Sequence, residues 1–444
     1  MFKAQHMEYT KSPIDKVIAP VSKFIHLEYT SGIVLLLSVV AALIWANSSY
    51  ADSYHHLWEM PLGVSFNQLH FVKPLHNWIN DGLMAIFFFV IGLELKREFM
   101  DGELSSIKKA SLPMVAAFGG MLVPALIYFA INKDGSAAHG WGIPMATDIA
   151  FALALLSMAG KHIPGSVKIF LSALAVADDL GAVLVIAVFY TNELSFLPLA
   201  VAGFFLLLLA AGNMLGIRAN GFYIVLGLVV WVGFLLSGVH ATIAGVLVAF
   251  TIPAATKIDE EFYVARLRTL AADFEHEVPN PGALITQRQQ NIIEDVKLLS
   301  LAAQTPLQKI EHALHQYVAF LIMPLFALSN AGMVIGADFF HALINPVSIG
   351  VLTGLVFGKF VGVLFFTWLL VKLGISSLPD QAAWKHIVGV ALLAGVGFTM
   401  SLFISGLAFN DAQFVEQAKY GILLASLISG ILGLVVLKSI KPGV

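Results

Sequence analysis

This sequence predicts an all-α polytopic membrane protein with about twelve transmembrane helices, and three observations predict it. Of its 444 residues 58% are hydrophobic and 12% charged, against about 25% charge in a soluble domain. Apolar runs long enough to cross a bilayer recur from Gly32 almost to the C-terminus. The Lys and Arg residues fall unevenly on alternate loops, as they do in multi-pass proteins.

A span needs about 20 apolar residues, or fewer where the helix is interrupted. Such runs lie near 31–47, 78–95, 110–131, 144–159, 167–190, 196–212, 221–237, 239–253, 316–335, 347–371, 386–407 and 417–437. The eighth is short and is interrupted by His240 and Gly245. An even number of spans puts both termini on one side. That side carries 21 Lys and Arg and the opposite loops three, with Lys359 inside a span. Both termini are therefore expected in the cytoplasm.

The expected order is a cytoplasmic N-terminal segment (1–30), spans one to eight (31–253), a cytoplasmic loop (254–315), spans nine to twelve (316–437) and a short tail (438–444). The first residues are polar, so no cleavable signal is expected. Residues 13–27 place Ile14, Val17, Ile18, Val21, Phe24 and Ile25 on one helical stripe after Ser12-Pro13. That stripe fits a helix on the membrane surface or one packed on the bundle. The long loop holds charge of both signs, a Pro279-Asn280-Pro281-Gly282 break and a helical stretch from Thr286 to Leu301. It reads as an exposed linker with one or two helices, too small for a core of its own.

Cysteine is absent, which removes disulfides, thiol chemistry and cysteine-held metals. A net charge of -3 gives no reason to expect a nucleic-acid partner. The partner implied by composition is membrane lipid.

Function lies in the ionisable residues inside apolar spans: Asp81, Glu94, Asp148, Asp178, Asp179 and Lys359. A charge at the bilayer centre costs at least about 2.5–3.5 kcal/mol, so such residues mark an ion or proton path. Span four opens Pro144-Met145-Ala146-Thr147-Asp148, and span eleven contains Ala394-Gly395-Val396-Gly397-Phe398-Thr399. Proline and paired glycines predict discontinuous helices at both places. Each is the middle member of a three-span set, three to five and ten to twelve, which points to two inverted-topology repeats around a midplane site.

Asp178 and Asp179 adjoin on span five, about 100° apart around the helix. A carboxylate oxygen takes either a proton or a hard cation, so this pair is the expected cation and proton site, with Asp179 the stronger candidate. A structural acid at a helix terminus is the alternative. Lys359 is too deep to reach the interface, so it pairs with a carboxylate or gives up its proton. Glu94-Leu95-Lys96-Arg97-Glu98 fits a solvated helix end or a pH-responsive mouth. His240, His312 and His315 are of the residue type that serves as a pH switch, but a histidine in a loop is ordinary and none is read as a sensor from the sequence alone.

Seven motifs, in order, resemble the NhaA family of bacterial sodium/proton antiporters. They are Trp78-Ile79-Asn80-Asp81-Gly82-Leu83-Met84 through Gly92-Leu93-Glu94-Leu95-Lys96-Arg97-Glu98, Ala146-Thr147-Asp148-Ile149-Ala150-Phe151-Ala152, Ala177-Asp178-Asp179-Leu180-Gly181-Ala182, Ser237-Gly238-Val239-His240-Ala241-Thr242, Pro324-Leu325-Phe326-Ala327 with Asn330-Ala331-Gly332, Gly358-Lys359, and Gly397-Phe398-Thr399-Met400-Ser401. The inverted-repeat rule is partly built on this family, so it is not independent of the resemblance.

The resemblance implies twelve helices whose broken fourth and eleventh members cross near the site. Asp179 would be the main cation ligand and proton carrier, Asp178 its partner, and the two would open on a cytoplasmic funnel. Asp148 and Thr147 would stand at the crossing, with Asp148 offsetting helix-end dipoles. Lys359 would pair with a site aspartate or carry a proton. Glu94, Glu98, Glu311, His312, His315 and His240 match positions tied to pH response. The resemblance further implies electrogenic exchange of Na+ or Li+ for protons, no cofactor, the bacterial inner membrane, and a homodimer with a β-hairpin drawn from 48–77. The stretch 258–303 looks like an insertion relative to the family.

Other readings fit less well. An intramembrane aspartyl protease resembles Gly-x-Gly-Asp around one acid, which is absent here. A retinal-type pump typically has seven spans with its lysine on the last, whereas Lys359 lies on the tenth. A channel differs from an exchanger only in lacking coupled flux.

Overall fold

The computed structural model describes residues 30–66, 69–160, 162–191, 194–277, 284–336 and 343–440. The expected helix over 13–27, the Pro279–Gly282 break and most of the C-terminal tail lie outside them.

Helix α1 (Thr30–Ala46) is followed by α2 (Ala51–Glu59), bent from it by 114°. Strands β1 (Pro61–Phe66) and β2 (Leu69–Pro74) pair antiparallel, from Pro61 opposite Pro74 to Phe66 opposite Leu69. This hairpin falls within the segment that the resemblance assigned to it. Next come α3 (Leu75–Asp101), α4 (Ile107–Ile131), a 3-10 segment (Gly135–Met145), α5 (Ile149–Ala159) and α6 (Gly165–Phe189). Helices α7 (Phe196–Met214), α8 (Asn220–Ser237) and α9 (Ala241–Thr251) complete the first eight spans. After α10 (Glu260–His276) and α11 (Gln287–Ala303), four further spans comprise α12 (Pro306–Asn330), α13 (Pro346–Lys372), the pair α14 (Trp384–Leu393) and α15 (Phe398–Ala408), and α16 (Ala412–Lys438).

Every expected span has its helix. Among the described residues eight helices are long and apolar enough to cross a membrane; α1, the two interrupted pairs and short α9 supply the rest. The interruptions fall where proline and glycine predicted them, with bends of 43° before α5 and 42° before α15. Two boundaries differ. Span four opens with 3-10 turns from Gly135, whose backbone Tyr128 and Tyr190 serve: the Tyr128 hydroxyl donates to the Ala137 carbonyl, and that of Tyr190 accepts from the Gly142 N–H. Span nine starts at Pro306, ten residues before its expected edge at 316, capped by the Thr305 hydroxyl.

Two compact units account for these elements. The first runs through Met84, then Asp101–Thr191, then from Ala319 onward; the second comprises Ala85–Met100 and Asn192–Val318. Within the first, the apolar core joins α4, α5, α6, α13, α14 and α16 around Leu156, Leu171, Leu174, Val363, Val390 and Leu393. Tyr54 of α2 anchors the end of α12, its hydroxyl donating to the Leu328 carbonyl and accepting from the Gly332 N–H.

In the second unit, α7 leaves Phe196, Leu197, Phe204 and Leu207 between 58 and 77% exposed, and α8 exposes Ile224, Val225 and Leu228. Bare apolar faces of this extent suit lipid rather than water. Gly92 of α3 lies against Ala249 of α9, and Gly245 of α9 against the Ala85 carbonyl of α3. A methyl on Gly245 would meet that carbonyl at 2.3 Å, so the missing side chain permits a close helix approach of the kind membrane bundles use.

The long loop departs from expectation. It forms the pair α10 and α11 with a small core of its own, in which Leu270, Ile292 and Leu299 are buried against Tyr263, Leu267 and Val296. Thr286 and Gln289 form a reciprocal capping box at the start of α11. Spaced three or four residues apart, these apolar residues make one seam, which two antiparallel helices can share.

Candidate functional site

The interrupted spans place the site. Between the 3-10 segment and α5 the chain is extended through Ala146 and Asp148, and between α14 and α15 it passes through Gly395–Gly397. Where these stretches meet, the Asp148 N–H donates to the Val396 carbonyl at 2.7 Å, and the Ser401 hydroxyl to the Ile143 carbonyl at 2.8 Å. A methyl on Gly397 would lie 2.7 Å from the Ala146 carbonyl. Glycine is what lets the two backbones touch.

Asp148 serves the helices that begin on either side of this meeting. One oxygen accepts from the Phe151 N–H at 3.1 Å and caps α5; the other accepts from the Thr399 N–H at 3.0 Å and from the Thr399 hydroxyl. Helix N-termini present unpaired N–H groups and partial positive charge. One carboxylate, 1% exposed, answers both.

Asp178 and Asp179 lie on α6, which is unbroken, and are 0% and 1% exposed. The Lys359 ammonium, also 0% exposed, donates to Asp178 Oδ2 at 2.5 Å. The Thr147 hydroxyl is 2.6 Å from the same oxygen and 2.9 Å from the Ala394 carbonyl. It has one proton and two acceptors, so it can hold the carboxylate or the end of α14, not both at once. Asp178 Oδ1 has no hydrogen-bond partner among the described residues. Asp179 is close enough for its charge to act on Lys359.

Thr147, Asp148, Asp178, Asp179 and Lys359 thus converge within the first unit. Thr399 belongs with them and was not among the expected site residues. Its signal was present, since a threonine directly after Gly-Val-Gly-Phe at a helix break is placed to meet the acid of the other break. The resemblance also implied that the two aspartates would open on a cytoplasmic funnel. In this conformation both aspartates are closed from solvent by packed helices, so ion access requires movement.

The expected pH-response residues lie in the second unit. Arg97 of α3 is ion-paired with Glu98 at 3.3 Å, Glu311 of α12 at 3.2 Å and Glu94 at 3.8 Å. His312 and His315 follow Glu311 on α12, and the charge of His312 acts on Glu311. His240 is elsewhere. It stands at the residue before α9, while Lys96 reaches the carbonyls of Phe250 and Ile252 at the other end of that helix, about 15 Å along the axis. Asp81, in the first unit, is paired with Lys73 of β2 at 3.2 Å. No group of three or more His, Cys, Asp or Glu suited to a metal occurs among the described residues.

A family profile described as Na+/H+ antiporter 1 matches residues 22–437. The Na(+)/H(+) antiporter NhaA of Oleidesulfovibrio alaskensis is 49% identical over 434 residues, covering 97% of this chain and 96% of that one. NhaA 2 of Syntrophotalea carbinolica is 47% identical over 94% of this chain and 96% of its own length. NhaA of Syntrophobacter fumaroxidans is 48% identical over 94% and 90%.

Proposed function

The chain belongs to the Na+/H+ antiporter family, and from that membership we propose that it exports Na+ or Li+ in exchange for protons, electrogenically and under pH control. It is a multi-pass membrane transporter, not an enzyme. The fuller reading puts it in the bacterial inner membrane as a homodimer, with both termini in the cytoplasm, consistent with the bias of basic residues. It needs no cofactor, because Na+, Li+ and H+ are its cargo.

The observation that carries the reading is the pairing of Asp178 with Lys359 beside Asp179, at the meeting of two interrupted helices. Two carboxylates and one ammonium leave a net charge of -1, which one small cation or one proton neutralises. A cation that engages both aspartates must displace Lys359 from Asp178. Protons that displace the cation can then reside on Asp179 and on Asp178, since the Lys359 ammonium already holds its full complement. More than one proton per cation makes the exchange electrogenic. Alternating access supplies the movement that the closed site requires.

The test uses inside-out vesicles carrying a proton gradient. Added Na+ or Li+ is expected to collapse the gradient, faster when a membrane potential is imposed. Cation conductance without proton counter-flow would assign a channel instead.

The pH control is proposed to lie at Arg97. Arg97→Ala leaves Glu94, Glu98 and Glu311 without their shared cation, so they repel until one takes a proton. The activity profile is expected to move toward alkaline pH, by about half a unit or more. An unmoved profile in the vesicle assay removes the cluster from pH control.

A further inference from the structure

Helix α13 carries glycine at every fourth position: Gly350, Gly354, Gly358 and Gly362. Each meets α4 or the segment that follows it. A methyl on Gly350 would strike the Asn132 amide and the Tyr128 ring. On Gly354 it would strike Pro144, on Gly358 the backbone of Pro124 at 2.7 Å, and on Gly362 the Gly119 carbonyl at 2.1 Å. A repeat of four residues overshoots an α-helical turn by about 40°, so such a stripe would wind away from its neighbour. The π-helical turn Gly354–Gly358, immediately before Lys359, turns less per residue and brings the stripe back.

This close approach sets Lys359 against bare backbone. A methyl built on Gly120 of α4 would be 3.6 Å from Lys359 Cδ, 3.7 Å from its Nζ and 2.9 Å from Val363 Cγ2. Four residues on, still within α4, stands Pro124. Proline has no N–H, so it cannot make the helical hydrogen bond to the Gly120 carbonyl. The turn of α4 whose absent methyl would stand 3.7 Å from the ammonium is therefore also the turn whose carbonyl lacks its helical donor.

We infer that this turn is a second resting place for the Lys359 ammonium, taken up when a cation or proton occupies Asp178, and that Gly120 and Pro124 are positioning residues for exchange. The inference rests on the site reading given above. An ammonium expelled from Asp178 with no other acceptor would be a buried, unpartnered charge, which is costly. A carbonyl without a helical donor, beside a residue without a side chain, removes most of that cost without moving α13. The amine keeps its protons throughout.

The test is a set of full-length variants in inside-out vesicles, with thermal unfolding of each purified protein measured alongside. Pro124→Ala keeps the Cα and Cβ that meet Gly358 and restores the N–H donor to Gly120. Gly120→Ala fills the space beside the ammonium. Pro124→Ala is expected to unfold at or above the wild-type temperature, because alanine favours helix over proline, and Gly120→Ala below it, because its methyl would press on buried Val363 at 2.9 Å. Both are expected to raise the apparent KM for Na+ about threefold or more and to move the pH profile by about half a unit. Gly350→Ala, on the same stripe but about 13 Å from Lys359 along the axis, is expected to leave both readouts at wild type.

A wild-type KM and pH profile in Pro124→Ala overturns the inference, whether or not Gly120→Ala folds. So does a Gly350→Ala shift as large as the others, which would reduce the stripe to packing alone. Asp178→Asn separates the two levels of argument. If it exchanges normally, the site reading itself fails; if it is impaired while the Gly120 and Pro124 variants are normal, only this inference falls.

Discussion

Asp179→Asn is expected to abolish Na+-driven collapse of a proton gradient while leaving the protein folded. Asparagine has the shape of aspartate, and α6 runs without interruption from Gly165 to Phe189, so the helix should form as before. What is lost is a group that can hold either a proton or a cation. A hydrogen bond to a charged group contributes about 1.5–3 kcal/mol, and the upper end of that range corresponds to about a hundredfold in binding. Exchange should therefore fall by about two orders of magnitude. Asp178→Asn makes the useful contrast. It strands the Lys359 ammonium, and breaking a buried ion pair by removing one partner costs about 3–5 kcal/mol. Lower thermal stability and lost exchange are expected together there, but lost exchange alone at Asp179. Normal exchange by Asp179→Asn in the vesicle assay would remove Asp179 from the transport step.

Asp148→Ala is expected to destabilise the protein strongly. It removes the cap of α5 and, at once, the acceptor for both the N–H and the hydroxyl of Thr399 at the start of α15. A lost N-cap costs about 0.5–2 kcal/mol, and buried donors left without a charged acceptor cost about 1–3 kcal/mol more. Together these give about 1.5–5 kcal/mol, seen as a clear fall in unfolding temperature in detergent. Asp148→Asn keeps one acceptor oxygen but turns an amide toward donors, so it should fall between alanine and wild type. If all three proteins melt together, Asp148 does not hold the crossing.

The path from residues to this arrangement was uneven, and the reasons are physical. Interruptions at Pro144 and Gly395–Gly397 were legible because proline and glycine act on the backbone of their own helix. The helical stretch from Thr286 was legible too, from its local pattern, although its capping box with Gln289 was seen only in the structure. The true start of α12 was not legible, because Lys309, Glu311, His312 and His315 lower the hydropathy of a turn that helix geometry continues regardless. Nor was the core between α10 and α11. Its apolar residues are few in each helix, and only their meeting makes a seam.

The site itself divides in the same way. Asp148, Asp178, Asp179 and Lys359 were legible as ionisable groups in apolar surroundings, where their cost demands a use. Which acid Lys359 serves was not, because position 359 and position 178 lie on separate helices whose rotation no local pattern records. Thr399 became part of the site only once its helix end was seen to face Asp148. The glycine stripe of α13 could be read as a repeat, but that it brings Lys359 onto the Gly120 turn depends on what α4 presents there.

Composition, hydropathy and the order of motifs were enough for the membrane class, the spans, both helix breaks and the family, because each follows from short-range chemistry along one chain. The pairing of Lys359 with Asp178, the double duty of Asp148 and the closure of the aspartates to solvent required three dimensions. They depend on distances between residues up to 251 positions apart, which are set by how helices rotate and approach, and that is a property of the packed molecule.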